Sequence, residues 1–417
     1  MRLSFSDHDL ISEATIKREI KKLGVYRERV SNVIATHDTT KSEYSLVHAG
    51  DAELHDTLAD ITKQFKGIKH LVLVGIGGSS LGVEAVHSVL NTEKVSLTVL
   101  DTLAANELKQ VTETIGRIKK IKEVAICIIS KSGGTTETLV NGAVLLDGLK
   151  KHWGDAVHRQ TLFIGDSGTD FMKQGKRLGV TCVTMPKIVG GRYSVATEVG
   201  LVPMALLGHD TDSFIEGFLH ADDSEIESAI ADSAARIYAY IQKNYHHYNF
   251  FAFEKRLETL GAWYRQLFAE SIGKAVDRAG KPVTKGLLPT ISTPVGLHSI
   301  GQLYLAGFAG VYTDFVTFDD ETVDFAIPKQ GLAKSFGRFT VQEVTTAIYG
   351  GVAGAYHDKK LPFRTTIFEE EQAYELGLFM AMRLRETMYV AELMNLNAFD
   401  QPNVELYKQK TKAILGL

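Results

Sequence analysis

Two short segments of this 417-residue chain concentrate groups suited to holding an anion. Gly75-Ile76-Gly77-Gly78-Ser79-Ser80-Leu81-Gly82 follows the β-rich run LVLV, and Ser130-Lys131-Ser132-Gly133-Gly134-Thr135-Thr136-Glu137-Thr138 follows VAICII. In the first, glycine permits positive φ and close backbone approach, and the helix expected after it presents unpaired N–H groups. In the second, five hydroxyls in nine residues offer short donors to phosphate oxygens. Helix capping alone would use only one or two of them. A dinucleotide fingerprint would need glycine where Ser80 stands, although Asp101 ends the next strand where a ribose-binding acid would sit. A P-loop would need Gly-Lys-Ser/Thr, which is absent. Two such loops after neighbouring strands favour a monophosphate pocket over a long cofactor.

Four charged or titratable residues elsewhere have the types that acid–base chemistry uses. Glu270, in AWYRQLFAESIGKA, follows Trp263 and Leu267 by seven and three residues, so a helix puts it on their apolar side. An inward carboxylate is costly unless it is paired or its pKa shifts, which suits a general base. It equally suits a buried Glu paired with Arg265 or Lys274. Arg192 stands in GGRYS, where two glycines let a guanidinium turn into a cavity; an exposed loop arginine is the simpler alternative. His298, in STPVGLHSIGQ, is placed where a strand ends and a helix begins, and is one of fourteen histidines. Lys408 follows Pro402, a residue suited to a first helical turn, and shares a helical face with Val404, Thr411 and Leu415; a snorkelling surface lysine has the same spacing.

The elements that must position these residues are legible in the hydrophobic pattern. From Leu71 to Met185, five β-rich runs (LVLVGIGG, VSLTVLD, VAICIIS, TLFIGD and VTCVTM) alternate with helical stretches, which predicts a parallel, doubly wound sheet. In such sheets ligands sit at the carboxyl ends of the strands, where the loops after Val74 and Ser130 lie. Helices are predicted over 8–35 and 51–65. After Pro203 the pattern turns more helical: 224–245, 251–270, 340–356, 370–394 and 402–416, with strand-like runs at GLLPTIST and TDFVTFD. No fixed-period repeat is visible. The expected division is 1–50 as an N-terminal helical segment, 51–210 and 211–395 as two α/β domains, and 396–417 as a C-terminal helix.

Composition narrows the class. With 44% hydrophobic and 23% charged residues, the chain is neither disordered nor collagenous, and no apolar stretch reaches 18 residues. All eight prolines lie at or beyond Pro186, so glycine, with 37 residues, punctuates the first half. The balance of 46 basic against 50 acidic residues has no like-charge run to mark a nucleic-acid or membrane partner. Cys127 and Cys182 sit in apolar runs, as buried residues of a reducing compartment do. The first twenty residues lack a signal-peptide pattern.

Taken together, GIGGSSLG, SKSGGTTET, GGRYSVATEVGLVP, WYRQLFAESIGK, LHSIGQ and FDQPNVELYK resemble the phosphoglucose isomerase family in its compact bacterial form, in order from residue 75 to 410. The resemblance implies two sugar-isomerase (SIS) α/β domains. It also implies glucose 6-phosphate and fructose 6-phosphate interconversion through a cis-enediol, in glycolysis and gluconeogenesis, without metal or other cofactor. The expected setting is a cytoplasmic homodimer. By that resemblance Ser79, Ser130, Ser132 and Thr135 hold the phosphate, with Gly77, Gly78, Lys131 and Gln401 at the same site. Glu270 is the proton-transferring base and Arg192 stabilises the enediolate. His298 and Lys408 open the sugar ring, His298 from the neighbouring subunit. Ile272 and Asn403 depart from the family's pattern. A dual phosphoglucose/phosphomannose isomerase and a non-catalytic sugar-phosphate-binding SIS protein are the alternatives.

Overall fold

The computed structural model describes residues 1–8, 10–90, 94–319, 323–369 and 372–416. The chain opens on β1 (Arg2–Ser6) and passes through α1 (Glu13–Lys22), α2 (Gly24–Thr36) and α3 (Ala52–Gln64). Strand and helix then alternate: β2 (His70–Val74), α4 (Leu81–Leu90), β3 (Ser96–Leu100), α5 (Ala105–Gly116), β4 (Val124–Ile129), α6 (Thr136–Trp153), α7 (Ala156–Arg159), β5 (Thr161–Gly165), α8 (Asp170–Leu178) and β6 (Thr181–Thr184). Next come α9 (Glu198–Leu206), α10 (Thr211–His220) and α11 (Ser224–Gln242). The second alternation is β7 (His247–Ala252), α12 (Glu258–Ile272), β8 (Leu288–Ser292), α13 (Gly301–Leu305), β9 (Val311–Phe318), α14 (Val341–Asp358) and β10 (Phe363–Phe368), and the chain closes with α15 (Gln372–Leu393) and α16 (Glu405–Leu415).

Two five-stranded sheets result. The first, ordered β3-β2-β4-β5-β6, is wholly parallel, as the five predicted runs require. Both of its faces are covered by helices, which is why every residue of β4 and of β5 is buried and why those runs read as continuous hydrophobes. The second, ordered β1-β10-β9-β7-β8, is parallel except for β1, which pairs antiparallel with β10. In each sheet the first strand of the alternation lies between the second and the third, so the chain reverses direction across the sheet at β2/β4 and again at β7/β9. One apolar cluster spans both units, joining Leu71, Leu73 and Ile129 of the first sheet to Phe250, Tyr312 and Val316 of the second.

Three sequence expectations change. Residues 1–50 are not purely helical, because Arg2–Ser6 forms β1. The helix predicted over 251–270 begins at Glu258, since Phe251 and Ala252 complete β7. Strands β7 and β10 had not been anticipated. Part of the helix predicted over 370–394 lies outside the described residues; the remainder is α15, whose long, almost wholly buried body packs against α10, α11 and α12.

Candidate active site

The first strand-order reversal sets the geometry. Loop 75–80 leaves β2 and loop 130–135 leaves the adjacent β4, so both open at the crevice where α/β sheets bind ligands. The hydroxyls of the second loop are not consumed by capping. Thr135 is the N-cap of the eighteen-residue α6, yet its side chain makes no capping hydrogen bond. Its hydroxyl lies 3.4 Å from Ser130 Oγ, and Ser132 Oγ accepts from Gly134 N at 3.3 Å. The Ser79 hydroxyl bonds to no described residue. Lys131 is half-buried; burial pulls its ammonium below the usual range, Asp166 opposes this, and Lys187 adds to it. Asp166 is pushed up by burial against the pull of both lysines, and its Oδ1 has no described partner.

The glycines here make room for neighbouring segments. A Cβ on Gly78 would stand 2.2 Å from the Gly191 carbonyl carbon, so the loop bearing Arg192 can rest directly on the first glycine loop. Gly77, at φ +61°, leaves room for Gln266, whose Nε2 would be 2.6 Å from an added Cβ.

Gln266 and Glu270 are one helical turn apart near the end of α12. Trp263, Tyr264, Leu267, Phe268, Ser271 and Ile272 form its buried stripe at helical spacing. Glu270 lies at the edge of that stripe, with its side chain 32% exposed. Glu270 is thus less inward than its helical spacing predicts. Gln266 Nε2 donates to Glu270 Oε1 at 3.2 Å, and Arg192 Nη1 lies 3.5 Å from Glu270 Oε2. Neither Arg265 nor Lys274 pairs with the carboxylate: Lys274 Nζ donates to the Glu270 carbonyl at 2.8 Å and pairs with Asp400 at 3.1 Å. Arg192 is 5% exposed rather than a solvated loop arginine, and its Nη1 also donates to Gln401 Oε1 at 3.1 Å.

Arg192, Glu270 and Gln401 therefore meet beside the first loop, whereas His298 and Lys408 do not join them. His298 is exposed at the end of a 3₁₀ turn after β8. Lys408 pairs with Glu405 at 2.6 Å on α16, a helix with no buried residue. Sequence reading had not singled out Gln266, Tyr193 or Ser271. The position of Gln266 four residues before Glu270 carried that information, because i and i+4 share a helical face. A different cleft, of about 950 Å³, lies between α3 and the edge strand β6. Its His48 looks catalytic between Asp51, at 2.9 Å, and Glu198, at 3.2 Å, but these groups satisfy one another. Among the described residues no cluster of His, Cys, Asp or Glu is arranged to hold a metal ion, and no helix is long and apolar enough to cross a membrane.

By fold this is a doubly wound α/β protein of two sheets that share the order of four strands, with a carboxylate–guanidinium pair beside the first glycine loop. Residues 17–323 match the family model described as phosphoglucose isomerase. The chain belongs to the phosphoglucose isomerase family. A Thermus thermophilus glucose-6-phosphate isomerase is 31% identical over 361 residues, 84% of each chain. A solved Thermus thermophilus structure, described only as a hypothetical protein, superposes with a TM-score of 0.85 at 26% identity, covering 99% of this chain and 100% of the other. A glucose-6-phosphate isomerase from Chlamydia trachomatis has the same fold, with a TM-score of 0.81 at 16% identity over 99% of this chain and 88% of its own.

Proposed function

We propose that this protein interconverts D-glucose 6-phosphate and D-fructose 6-phosphate through a cis-enediol. The observation that carries the reading is the Arg192–Glu270 pair, set beside the first glycine loop, together with the hydroxyl-rich loop on the adjacent strand, whose Thr135 hydroxyl is not spent on capping. In this reading Ser79, Ser130, Ser132 and Thr135 hold the phosphate with Lys131 and the backbone of Gly77 and Gly78. Binding energy from that remote group orients C1 and C2. Glu270 removes the proton from one carbon and returns it to the other. Arg192 acts on the negative charge that develops on the enediolate oxygen, a preorganised electrostatic role.

His298 and Lys408 open the ring, and we place His298 in the site of a neighbouring copy. Its exposure supports this, as do exposed apolar side chains in the same stretch: Val295, Leu303, Phe308, Phe325 and Phe336. The homodimer is read as cytoplasmic, in keeping with its two unbridged cysteines. We read 51–210 and 211–395 as the two α/β domains, with 1–50 and 396–417 as flanking segments; the grouping of β2–β6 in one sheet and β7–β10 in the other supports this, and β1 of the first flank adds an edge strand to the second sheet.

The test is Glu270→Gln in chelator-treated protein, assayed from fructose 6-phosphate with a coupled readout. Turnover is expected to fall by ~10²–10⁴-fold, the range of a general base, while affinity for a sugar-phosphate inhibitor stays near its original value. Near-normal turnover in this variant would falsify the assignment.

A further inference from the structure

The Arg192 guanidinium has five N–H donors, and all five point at acceptors. Nε donates to Ser271 Oγ at 2.9 Å. Nη2 donates to the carbonyls of Ala398 and, at 3.0 Å, Asp400. Only Nη1 is directed at side chains facing the site, Glu270 Oε2 and Gln401 Oε1. Four of the five acceptors thus come from two short stretches, 270–271 and 398–400, and the guanidinium plane is set by both.

The Ser271 contact extends into a chain with a defined direction. Ser271 Oγ accepts from Nε, so its own hydrogen goes to Tyr193 Oη, 2.8 Å away. Tyr193 Oη in turn donates to the Ala398 carbonyl at 3.3 Å, which can only accept. Ser271 and Tyr193 are both fully buried, so water does not compete for these bonds. The Tyr193 ring packs on Phe399 with centroids 5.1 Å apart, which holds the stretch that leads to Gln401. A hydroxyl at 271 also differs from a carboxylate in consequence: it anchors Nε without neutralising the guanidinium charge.

We propose that Ser271 and Tyr193 are positioning residues that orient Arg192 so that a single nitrogen, Nη1, meets the reacting oxygens of the sugar. Ser271 follows Glu270 in the same helix, so one turn of α12 fixes the base through one residue and the arginine through the next. The inference rests on the reading of Arg192 given above, and the experiment separates the two. Steady-state kinetics with fructose 6-phosphate are measured on the full chain for Arg192→Ala, Ser271→Ala, Ser271→Thr and Tyr193→Phe. Arg192→Ala is expected to lower kcat by ~10²–10³-fold, as for a lost oxyanion donor. Ser271→Ala is expected to lower kcat by ~10–100-fold with KM within about threefold, the signature of a misplaced catalytic group with intact phosphate binding. Ser271→Thr, which restores the hydroxyl, returns kcat to within about threefold of the parent, and Tyr193→Phe costs about three- to tenfold.

If Arg192→Ala keeps parental turnover, the role of the arginine itself is wrong. If Arg192→Ala loses turnover while Ser271→Ala keeps the parental kcat, or loses it with no recovery in Ser271→Thr, the positioning role is wrong and the arginine's role stands. Should Ser271→Ala fail to fold, Tyr193→Phe decides, and parental kcat there overturns the proposal.

Discussion

The two sheets share the order of four strands but spend it differently. In the first, both faces are apolar and the polar chemistry is at the ends of β2 and β4. In the second, the chemistry of the interior is ionic. Asp314 of β9 and Arg364 of β10 are register partners, 2.8 Å apart and wholly buried. Arg383 of α15 reaches Asp314 and Glu386 at 3.1 Å each, and Ser233, Tyr248, Tyr264 and Thr366 add hydrogen bonds, leaving Asp314 Oδ1, Arg364 Nε and Arg383 Nε without a described partner. Two cations and two anions cancel there, so the cluster is tolerated without solvent but offers no net charge to a ligand. The corresponding helices of the two alternations, α4 and α12, pack against each other antiparallel. Gln266 meets Gly77 at one end, and Arg256 Nη1 donates to the Val89 carbonyl at 3.3 Å at the other. A repeated topology thus yields one unit that presents glycine- and hydroxyl-rich loops at helix starts and a second that presents a carboxylate near a helix end.

This contrast can be broken by substitutions whose effects fall on different measurements. The largest effect is expected for Arg364→Ala. It strands Asp314 and Glu386 without their main cation and is expected to cost ~3–5 kcal/mol of stability in denaturant unfolding. A variant as stable as the parent would show the cluster to be dispensable. Thr135→Ala is the counterpart in the first unit. Loss of one hydrogen bond to a charged phosphate is expected to weaken binding by roughly tenfold or more with an unchanged Tm, whereas loss of a simple cap would cost ~1 kcal/mol of stability and leave KM alone.

The most graded effect is in acid. Burial opposes ionisation of Glu386, but Arg364 and Arg383 outweigh it and hold the carboxyl down at about 2. Because the folded value lies below the ordinary one of 4.5, this group's stabilising contribution is complete above about 4.5 and is lost as pH falls from there toward 2. Glu386→Gln should flatten that acid limb of the stability–pH curve, measured by urea midpoints; an unaltered limb would assign it to other carboxylates.

How much of this was legible in the sequence follows the same division. The first sheet was read strand by strand, because fully buried parallel strands leave uninterrupted apolar runs and their loops carry glycine and hydroxyls. The second was harder. HYNFFA and FRTTIF mix aromatic, amide, hydroxyl and charged residues, since β7 and β10 contribute to polar contacts inside the fold, and their pattern matches neither a dry strand nor an alternating one. The second α/β unit was expected, but its likeness to the first shows no sequence period for a related reason: it resides in strand order. Of the site, helical spacing left Glu270 open between a base and a buried ion pair, and GGRYS left Arg192 open to an exposed loop position; the family resemblance selected both. Their meeting, and the hydroxyls of Ser271 and Tyr193 that frame it, depend on contacts between residues about eighty positions apart, which spacing along one helix does not encode.

The antiparallel edge β1 has a consequence for synthesis. Its partner β10 lies some 360 residues downstream, with Arg2 opposite Ile367. Strands β2 to β6 form their sheet from a compact stretch of chain, so a nascent polypeptide can assemble that layer while its remainder is still being translated. The strand at 2–6 must wait for the strand at 363–368. Until then β1 is an unpaired strand, open to mispairing, and the outer border of the second sheet cannot close.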